Sequence, residues 1–347
     1  MAKNTNLKAA KKAKKDEFYT QLSDIEKELH HYRKQFKNKI IFCNCDDPFE
    51  SNFFKYFVLN FNQLGLKKLI ATSYVNSPIA NEQLSLFDNQ INDNNKSDKK
   101  PYKAIINKVY DTDNNGLDMN DIINLFKKGE NTLSELKGDG DFRSDEAVEL
   151  LKQADIVVTN PPFSLFREYV AQLMNYNKKF LIIGNSNAIT YKEIFPLIKE
   201  NKLWLGVTRQ GTGSMWFKVP ESFPQKSGQK IENGVRYQTI GNSAWFTNLD
   251  VKKRHENIIL YKKYNQDDYP KYDNYDAIEV SKVKDIPYNY QGIMGVPITF
   301  LGKYNPEQFE IIGLDRYTAP KEVLVSGRLA INGKTKYARI LIKNKQI

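Results

Sequence analysis

The segment "ADIVVTNPPFSLF", residues 154–166, drives Ile156, Val157 and Val158 straight into Asn160-Pro161-Pro162-Phe163. A short apolar, β-branched run bounded by a turn signal reads as a buried strand. Proline cannot donate to a sheet ladder or sit comfortably inside a helix, so the pair fixes a rigid, extended exit from that strand. A helical stretch, "LFREYVAQLMNY", follows, and then a second apolar strand, "KKFLIIGN".

The same rhythm extends in both directions. Upstream, "KIIFCN" reads as a strand, "PFESNFFKYFVLNFNQLG" as a helix with Pro48 in its first turn and Gly65 as its C-terminal cap, and "LKKLIATSY" as a strand. "YKAIINKVY" is a strand, "MNDIINLFKKG" a helix, "GDGDF" a turn and "SDEAVELLKQ" a helix; downstream, "YKEIFPLIKEN" is helical despite Pro196 and "KLWLGV" is a strand. Before them all, Leu22, Ile25, Leu29, Tyr32 and Phe36 recur at helical spacing. Strand and helix in alternation predict an α/β fold with a doubly wound, mainly parallel sheet. Ligands of such sheets bind beyond the carboxyl ends of the strands, where both "CNCDDP" and "NPPF" fall. The expected organisation is a basic N-terminal arm over 1–15, a catalytic core over 16–207 with a polar insertion at 76–103, and a less regular target-recognition and C-terminal region over 208–347.

The formal net charge is +11, from 52 Lys+Arg against 41 Asp+Glu, which favours a polyanionic partner such as nucleic acid. No apolar run approaches the roughly 20 residues of a membrane span, so a soluble cytoplasmic protein without membrane contact is expected. The only cysteines, Cys43 and Cys45, alternate on a strand, and His30, His31 and His255 are the only histidines. No familiar metal-ligand spacing results, and no metal is expected. "DTDNNGLDMNDI", residues 111–122, begins like a calcium loop but ends on Ile122 where a bidentate glutamate is required, so it reads as a turn.

The prolines acquire a chemical reason once an exocyclic amine is considered as nucleophile. Its lone pair is delocalised into the ring, so it attacks a sulfonium methyl group poorly. A site accepting hydrogen bonds from both amino hydrogens favours the pyramidal nitrogen of the transition state. The side-chain oxygen of Asn160 and the carbonyl of Pro161 can be those acceptors, Pro162 removes flexibility, and Phe163 can stack on the base. A base inside a duplex must be flipped out to be reached, and an aromatic platform replaces part of the lost stacking. The plainer alternative is a rigid strand-to-helix turn.

Taken in order, "DEFYT", "CNCDDP", "GDGDF" and "DIVVTNPPF" resemble the amino-methyltransferases that use S-adenosylmethionine. The longer stretches "DDPFESNFFKYF", "LGLKKLIA", "NPPFSLF", "KYDNYDAIEV" and "MGVPITFLGKYNPEQFE" closely resemble EcoRI-type adenine-specific DNA methyltransferases. The resemblance implies that Asn160, Pro161, Pro162 and Phe163 form the catalytic motif. It also implies that Phe18, Tyr19 and Thr20 contact the methionine end of the cofactor, that Asp46 and Asp47 lie near its ammonium and sugar, and that Asp141 and Phe142 hold its adenine moiety. Asp46 and Asp47 also suit an N-terminal helix cap beside Pro48. The turn "CNCDDPFESNF" contains no glycine, unlike the glycine-rich turn usual in methyltransferases of this fold.

The implied function is site-specific methylation of adenine N6 in double-stranded DNA, at GAATTC or a related site, by a monomeric restriction-modification or orphan enzyme of a bacterium or phage, associated with the nucleoid. A cognate restriction endonuclease would act separately. Methylation of cytosine N4, of RNA or of a protein glutamine remains an alternative, as does a catalytically idle DNA-binding module. By type and place, Arg209, Gln210, Trp216 and Arg236 are the candidates for DNA contact. Within the polar insertion, "QLSLF" strands Gln83, Leu84, Leu86 and Phe87 in a polar run and matches the peptide by which bacterial DNA-processing proteins hook onto the replication sliding clamp. The alternative is that these side chains tack the loop onto the domain.

Overall fold

The computed structural model of the 347-residue chain describes residues 19–45, 51–73, 101–110, 124–126, 129–208, 215–219, 227–240, 242–315 and 328–347. The chain divides into two compact units, one spanning 1–185 with 212–249 and the other 186–211 with 250–347.

The first unit opens with β1 (Tyr19–Thr20) and α1 (Leu22–Leu29), which continues as a 3-10 segment over His30–Gln35 rather than as one long α-helix. Its apolar stripe is buried as the spacing requires: Ile25, Leu29, Tyr32 and Phe36 are fully inaccessible, while His30 and His31 are exposed. After β2 (Ile40–Cys43) come α2 (Asn52–Leu59) and α3 (Phe61–Leu64). Gly65 closes α3 in the left-handed region, φ +62°, where a side chain would be strained. The start of α2 differs from the expected one. Ser51 is the cap, accepting from the backbone N–H groups of Phe53 and Phe54 at 3.1 and 3.4 Å, so the helix begins beyond Pro48.

There follow β3 (Lys68–Thr72), β4 (Tyr102–Ile106), β5 (Thr132–Glu135), α4 (Asp145–Gln153), β6 (Ile156–Thr159), α5 (Phe166–Asn175) and β7 (Lys179–Asn185). Ser144 caps α4 by accepting from the Ala147 N–H at 3.3 Å. The chain next supplies α6 (Phe195–Lys199) and β8 (Trp204–Leu205) to the second unit. Pro196 lies in the first turn of α6, where its missing N–H costs nothing, so the helix is shorter than the expected one. It then returns to the first unit as β9 (Met215–Lys218), β10 (Gln229–Glu232), β11 (Val235–Ile240) and β12 (Ser243–Thr247).

Within the first unit the central sheet runs β5-β4-β3-β2-β6-β7-β12. β3, β2, β6 and β7 are parallel neighbours, whereas β4, β5 and β12 add antiparallel. The fold is thus α/β with a mixed sheet, where a mainly parallel one was expected. β12 rejoins this unit, past the boundary expected at residue 207, because its aromatic residues complete the core. Trp245 packs edge-on to Phe53 at 5.9 Å, and Phe246 meets Phe166 at 4.9 Å. Phe166 in turn lies over Gly184 so closely that a Cβ there would collide with the ring. A second sheet, β1-β9-β11-β10, is antiparallel throughout, and its β10–β11 hairpin turns on Asn233-Gly234, both with positive φ.

The second unit contains β13 (Lys271–Tyr272), β14 (Tyr275–Glu279), β15 (Met294–Pro297), β16 (Phe309–Leu314) and β19 (Arg339–Asn344), with the hairpin β17 (Ala330–Ile331) and β18 (Lys334–Thr335). The order is β13-β14-β15-β19-β16, and the β14–β15 pair is parallel. Glu279, only 4% exposed, is pinned by Arg339: Nη2 lies 2.6 Å from Oε1, and Nε lies 3.0 and 3.1 Å from the two carboxylate oxygens. The Tyr272 hydroxyl donates to the same carboxylate, and burial together with that carboxylate pushes the hydroxyl pKa up. Burial works against the Arg339 guanidinium, but its hydrogen bond to Glu279 holds it above its ordinary range. Arg339→Met would strand a buried carboxylate and should cost about 3–5 kcal/mol, read as a lowered urea midpoint.

His255 is held between Asp250 and Glu307, with 2.9 Å from Nε2 to Asp250 and 2.9 Å from Nδ1 to Glu307. The bond to Asp250, and then that to Glu307, raise the His255 pKa above its ordinary value near 6.5. Burial raises the Asp250 carboxyl, but its bonds from His255 outweigh this and leave it lowered. A raised histidine stabilises fully below its unfolded pKa and loses that contribution as pH climbs through the folded value, whereas the lowered aspartate loses its share on the acid side. Thermal stability should therefore decline as pH rises above about 6.5, and His255→Gln should flatten that decline in a melting series.

Candidate active site

Strand order reverses between β2 and β6: the chain leaves β2 for β3 on one side and leaves β6 for β7 on the other. Such a reversal opens a crevice at the carboxyl ends of the two strands. "CNCDDP" begins at the end of β2, and the NPPF turn is the exit from β6.

Asn44 ties these ends together. Its backbone carbonyl accepts the Thr159 hydroxyl, and its side-chain carbonyl accepts the Tyr169 hydroxyl from α5. Asn44, Thr159 and Tyr169 are all buried. Beyond Thr159, Asn160 and Pro161 are buried as well, while Pro162 and Phe163 are half-buried. Pro162 is extended at φ −55° and ψ 123°, and Phe163–Leu165 forms a 3-10 turn whose Leu165 N–H donates to the Pro162 carbonyl at 3.0 Å. The prolines hold the exit straight, and the turn then starts α5.

The other sequence-predicted residues fall into three groups. Phe142 reaches the same corner, its ring edge-on to Tyr169 at 5.0 Å and its carbonyl accepting from the Gln172 amide at 3.0 Å. Beside it, the Asp141 carboxylate receives Arg143 through two bonds, 2.7 Å from Nη2 to Oδ2 and 2.9 Å from Nε to Oδ1. Arg143 also bonds Glu168 at 2.9 Å, and its guanidinium is held above its ordinary range, chiefly by Asp141. Thr20 is anchored to the first turn of α2, its carbonyl accepting from the Asn52 amide at 2.7 Å. The Thr20 hydroxyl is buried and has no hydrogen-bond partner among the described residues. The Tyr19 backbone pairs with Lys218, while Phe18, Asp46 and Asp47 lie outside the described residues.

Among the DNA-contact candidates, Trp216 and Arg236 do not share a face. Trp216 lies opposite Thr239 and Arg236 opposite Ile231, so alternation along β11 puts them on opposite sides of their sheet. Lys230 lies over the rings of Trp216 and Tyr237, at 4.8 and 5.5 Å. Arg209, Gln210, Gln83, Leu84, Leu86 and Phe87 lie outside the described residues. Sequence reasoning missed Asn44 and Tyr169. Asn44 stands inside "CNCDDP", but only its partners reveal its role.

The family model for adenine-specific methyltransferase EcoRI matches residues 6–345. The chain is 51% identical to the Type II methyltransferase M.EcoRI of Escherichia coli, covering all of this chain and 98% of that protein. It is 42% identical to M.MgeORF184P of Mycoplasma genitalium, over 97% of this chain and 98% of that one, and 37% identical to M.MpnI of Mycoplasma pneumoniae, over 97% of each. Both are likewise Type II methyltransferases. No solved structure matches the chain. The protein belongs to the family of EcoRI adenine-specific methyltransferases.

Tyr169→Phe keeps the ring against Phe142 and removes the donor to Asn44. A buried carbonyl left without its donor costs about 1–3 kcal/mol, so stability should fall by that order and methyl transfer should slow, measured by urea denaturation and by initial rate.

Proposed function

We propose that the chain methylates N6 of adenine in duplex DNA, drawing the methyl group from S-adenosylmethionine, with the flipped adenine received by the NPPF turn. The observation that carries this reading is the position of Asn160 and Pro161 at the exit of β6, beside the carboxyl end of β2 where strand order reverses. The family supports adenine over the cytosine, RNA and glutamine amines that the motif alone leaves open.

The residues present fit the cofactor. The buried Thr20 hydroxyl, without a hydrogen-bond partner among the described residues, offers a polar contact, as the methionine end requires. Phe142 offers a ring edge for a purine, and Asp141, its charge offset by Arg143, keeps lone pairs for an adenine amine. Phe18, Tyr19, Asp46 and Asp47 complete the set. The bound cofactor supplies an electrophilic methyl group on a sulfonium. Asn160 Oδ1 and the Pro161 carbonyl accept from the two amino hydrogens, concentrating the nitrogen lone pair for attack, and Phe163 stacks on the base. Because methylation makes the amine acidic, its proton can pass to water without an ionised base nearby. The doubly wound core is then a methyltransferase scaffold, and the remaining region reads the site, GAATTC or a close relative, with Arg209, Gln210 and one of Trp216 and Arg236, which lie on opposite faces of their sheet, as contacts.

The same reading makes the enzyme a monomer acting in the cytoplasm at the nucleoid, alone or beside a separate restriction endonuclease, with QLSLF as its hook to the sliding clamp. Among the described residues no helix is long and apolar enough to cross a membrane.

Sequencing of DNA treated with enzyme and cofactor should show N6-methyladenine at one short site, and unmodified DNA would reject the reading. Asn160→Ala should lower kcat by about 10²–10³ while leaving the folding transition in place; a wild-type rate would reject the mechanism.

A further inference from the structure

The second unit holds a cleft that methyl transfer leaves unused. Trp204, Val207, Lys253, Arg254, Lys303 and Tyr304 are among its lining residues. Arg254 is only 8% exposed and its guanidinium lies over the Trp204 ring, 4.1 Å from the centroid. Nη1 donates to Asp250 at 3.3 Å and Nη2 to the Leu205 carbonyl at 3.4 Å. A guanidinium fixed this way presents its charge in one direction at little further entropic cost. Lys253 and Lys303 are exposed at the same cleft, and among the described residues none that lines it is acidic.

Trp204 adds an independent observation. Its indole N–H is buried and has no acceptor among the described residues. Indole nitrogen only donates, so the group lacks an oxygen that would satisfy it. Two exposed lysines, a buried guanidinium already paired with Asp250, an indole donor without an acceptor among the described residues and no carboxylate among the described lining residues together match an oxyanion with several acceptor oxygens.

We propose that this cleft receives a backbone phosphate of the DNA, which rests on duplex DNA being the substrate. Such a contact sets the position of the duplex on the second unit and carries no sequence information, because every nucleotide presents the same phosphate. It therefore contributes to affinity for any duplex, and its contribution falls as salt rises and counterion release weakens.

The test is equilibrium binding of the full chain to two duplexes, one containing GAATTC and one scrambled, across a salt series. Lys253→Ala with Lys303→Ala should weaken both by the same factor and make the slope of log affinity against log salt shallower by about 1. Trp204→Phe keeps a six-membered ring beneath Arg254 but removes the N–H together with part of the indole and takes away no charge, so binding should weaken with the slope unchanged. A lysine variant with wild-type affinity and slope overturns the proposal. If that variant has also lost stabilisation by inorganic phosphate in a melting experiment, the occupant is a free anion. A loss confined to the GAATTC duplex overturns it in favour of base readout. Absence of salt-dependent duplex binding by the unaltered protein would instead reject DNA as the substrate, and this site with it.

Discussion

Asn44 accepts two hydroxyl hydrogen bonds, from Thr159 through its backbone carbonyl and from Tyr169 through its side chain, and the candidate site depends on that pair. The β2–β6 ladder itself registers only Ile41 with Ile156 and Phe42 with Val157, so it ends before either functional loop begins. Past that point the chains must diverge to form a crevice, and without a further tie their relative position would be soft. All three partners are buried, where an unsatisfied polar group is costly, so the bonds specify one arrangement. Tyr169 extends the tie to Phe142, which couples the Asp141–Phe142 corner to the strand that leads into the NPPF turn through one side chain.

Rigidity there matters because the proposed chemistry draws its rate from placement rather than from a strong base. Two prolines straighten the exit of β6, a 3-10 turn begins α5, and Phe166 locks that helix onto Gly184 of β7. The turn is held from its start at Thr159 to the helix that follows it.

The basic surplus divides into cations with different work. Arg339 is spent on the buried Glu279, and Arg143 on Asp141 and Glu168, so neither is available to a polyanion. Arg254 is likewise paired, with Asp250, and is buried, so the charges its cleft leaves open are those of Lys253 and Lys303. A net charge of +11 indicates the kind of partner, but burial and pairing decide which charges can meet it.

Much of this was legible in the chain because local physics controls it. The β-branched run before Asn160 favours a buried strand, the spacing of Ile25, Leu29, Tyr32 and Phe36 makes one buried stripe, and Gly65 takes the left-handed close of its helix without strain. Less local features went otherwise. Ser51 takes the cap that Pro48 and the aspartates seemed suited to, and polar β5 pairs at a sheet edge where apolar alternation is not required. Trp216 and Arg236 look alike as DNA contacts until strand pairing puts them on opposite faces. By itself the sequence determined the parallel strands β2, β3, β6 and β7, the proline-fixed NPPF exit and the family, since these rest on short-range sterics and on matched motifs. Only the tertiary structure decided that β12 returns to the first unit, that the flanking strands run antiparallel and that Asn44 joins the two loops, because each depends on partners distant along the chain rather than on local sequence.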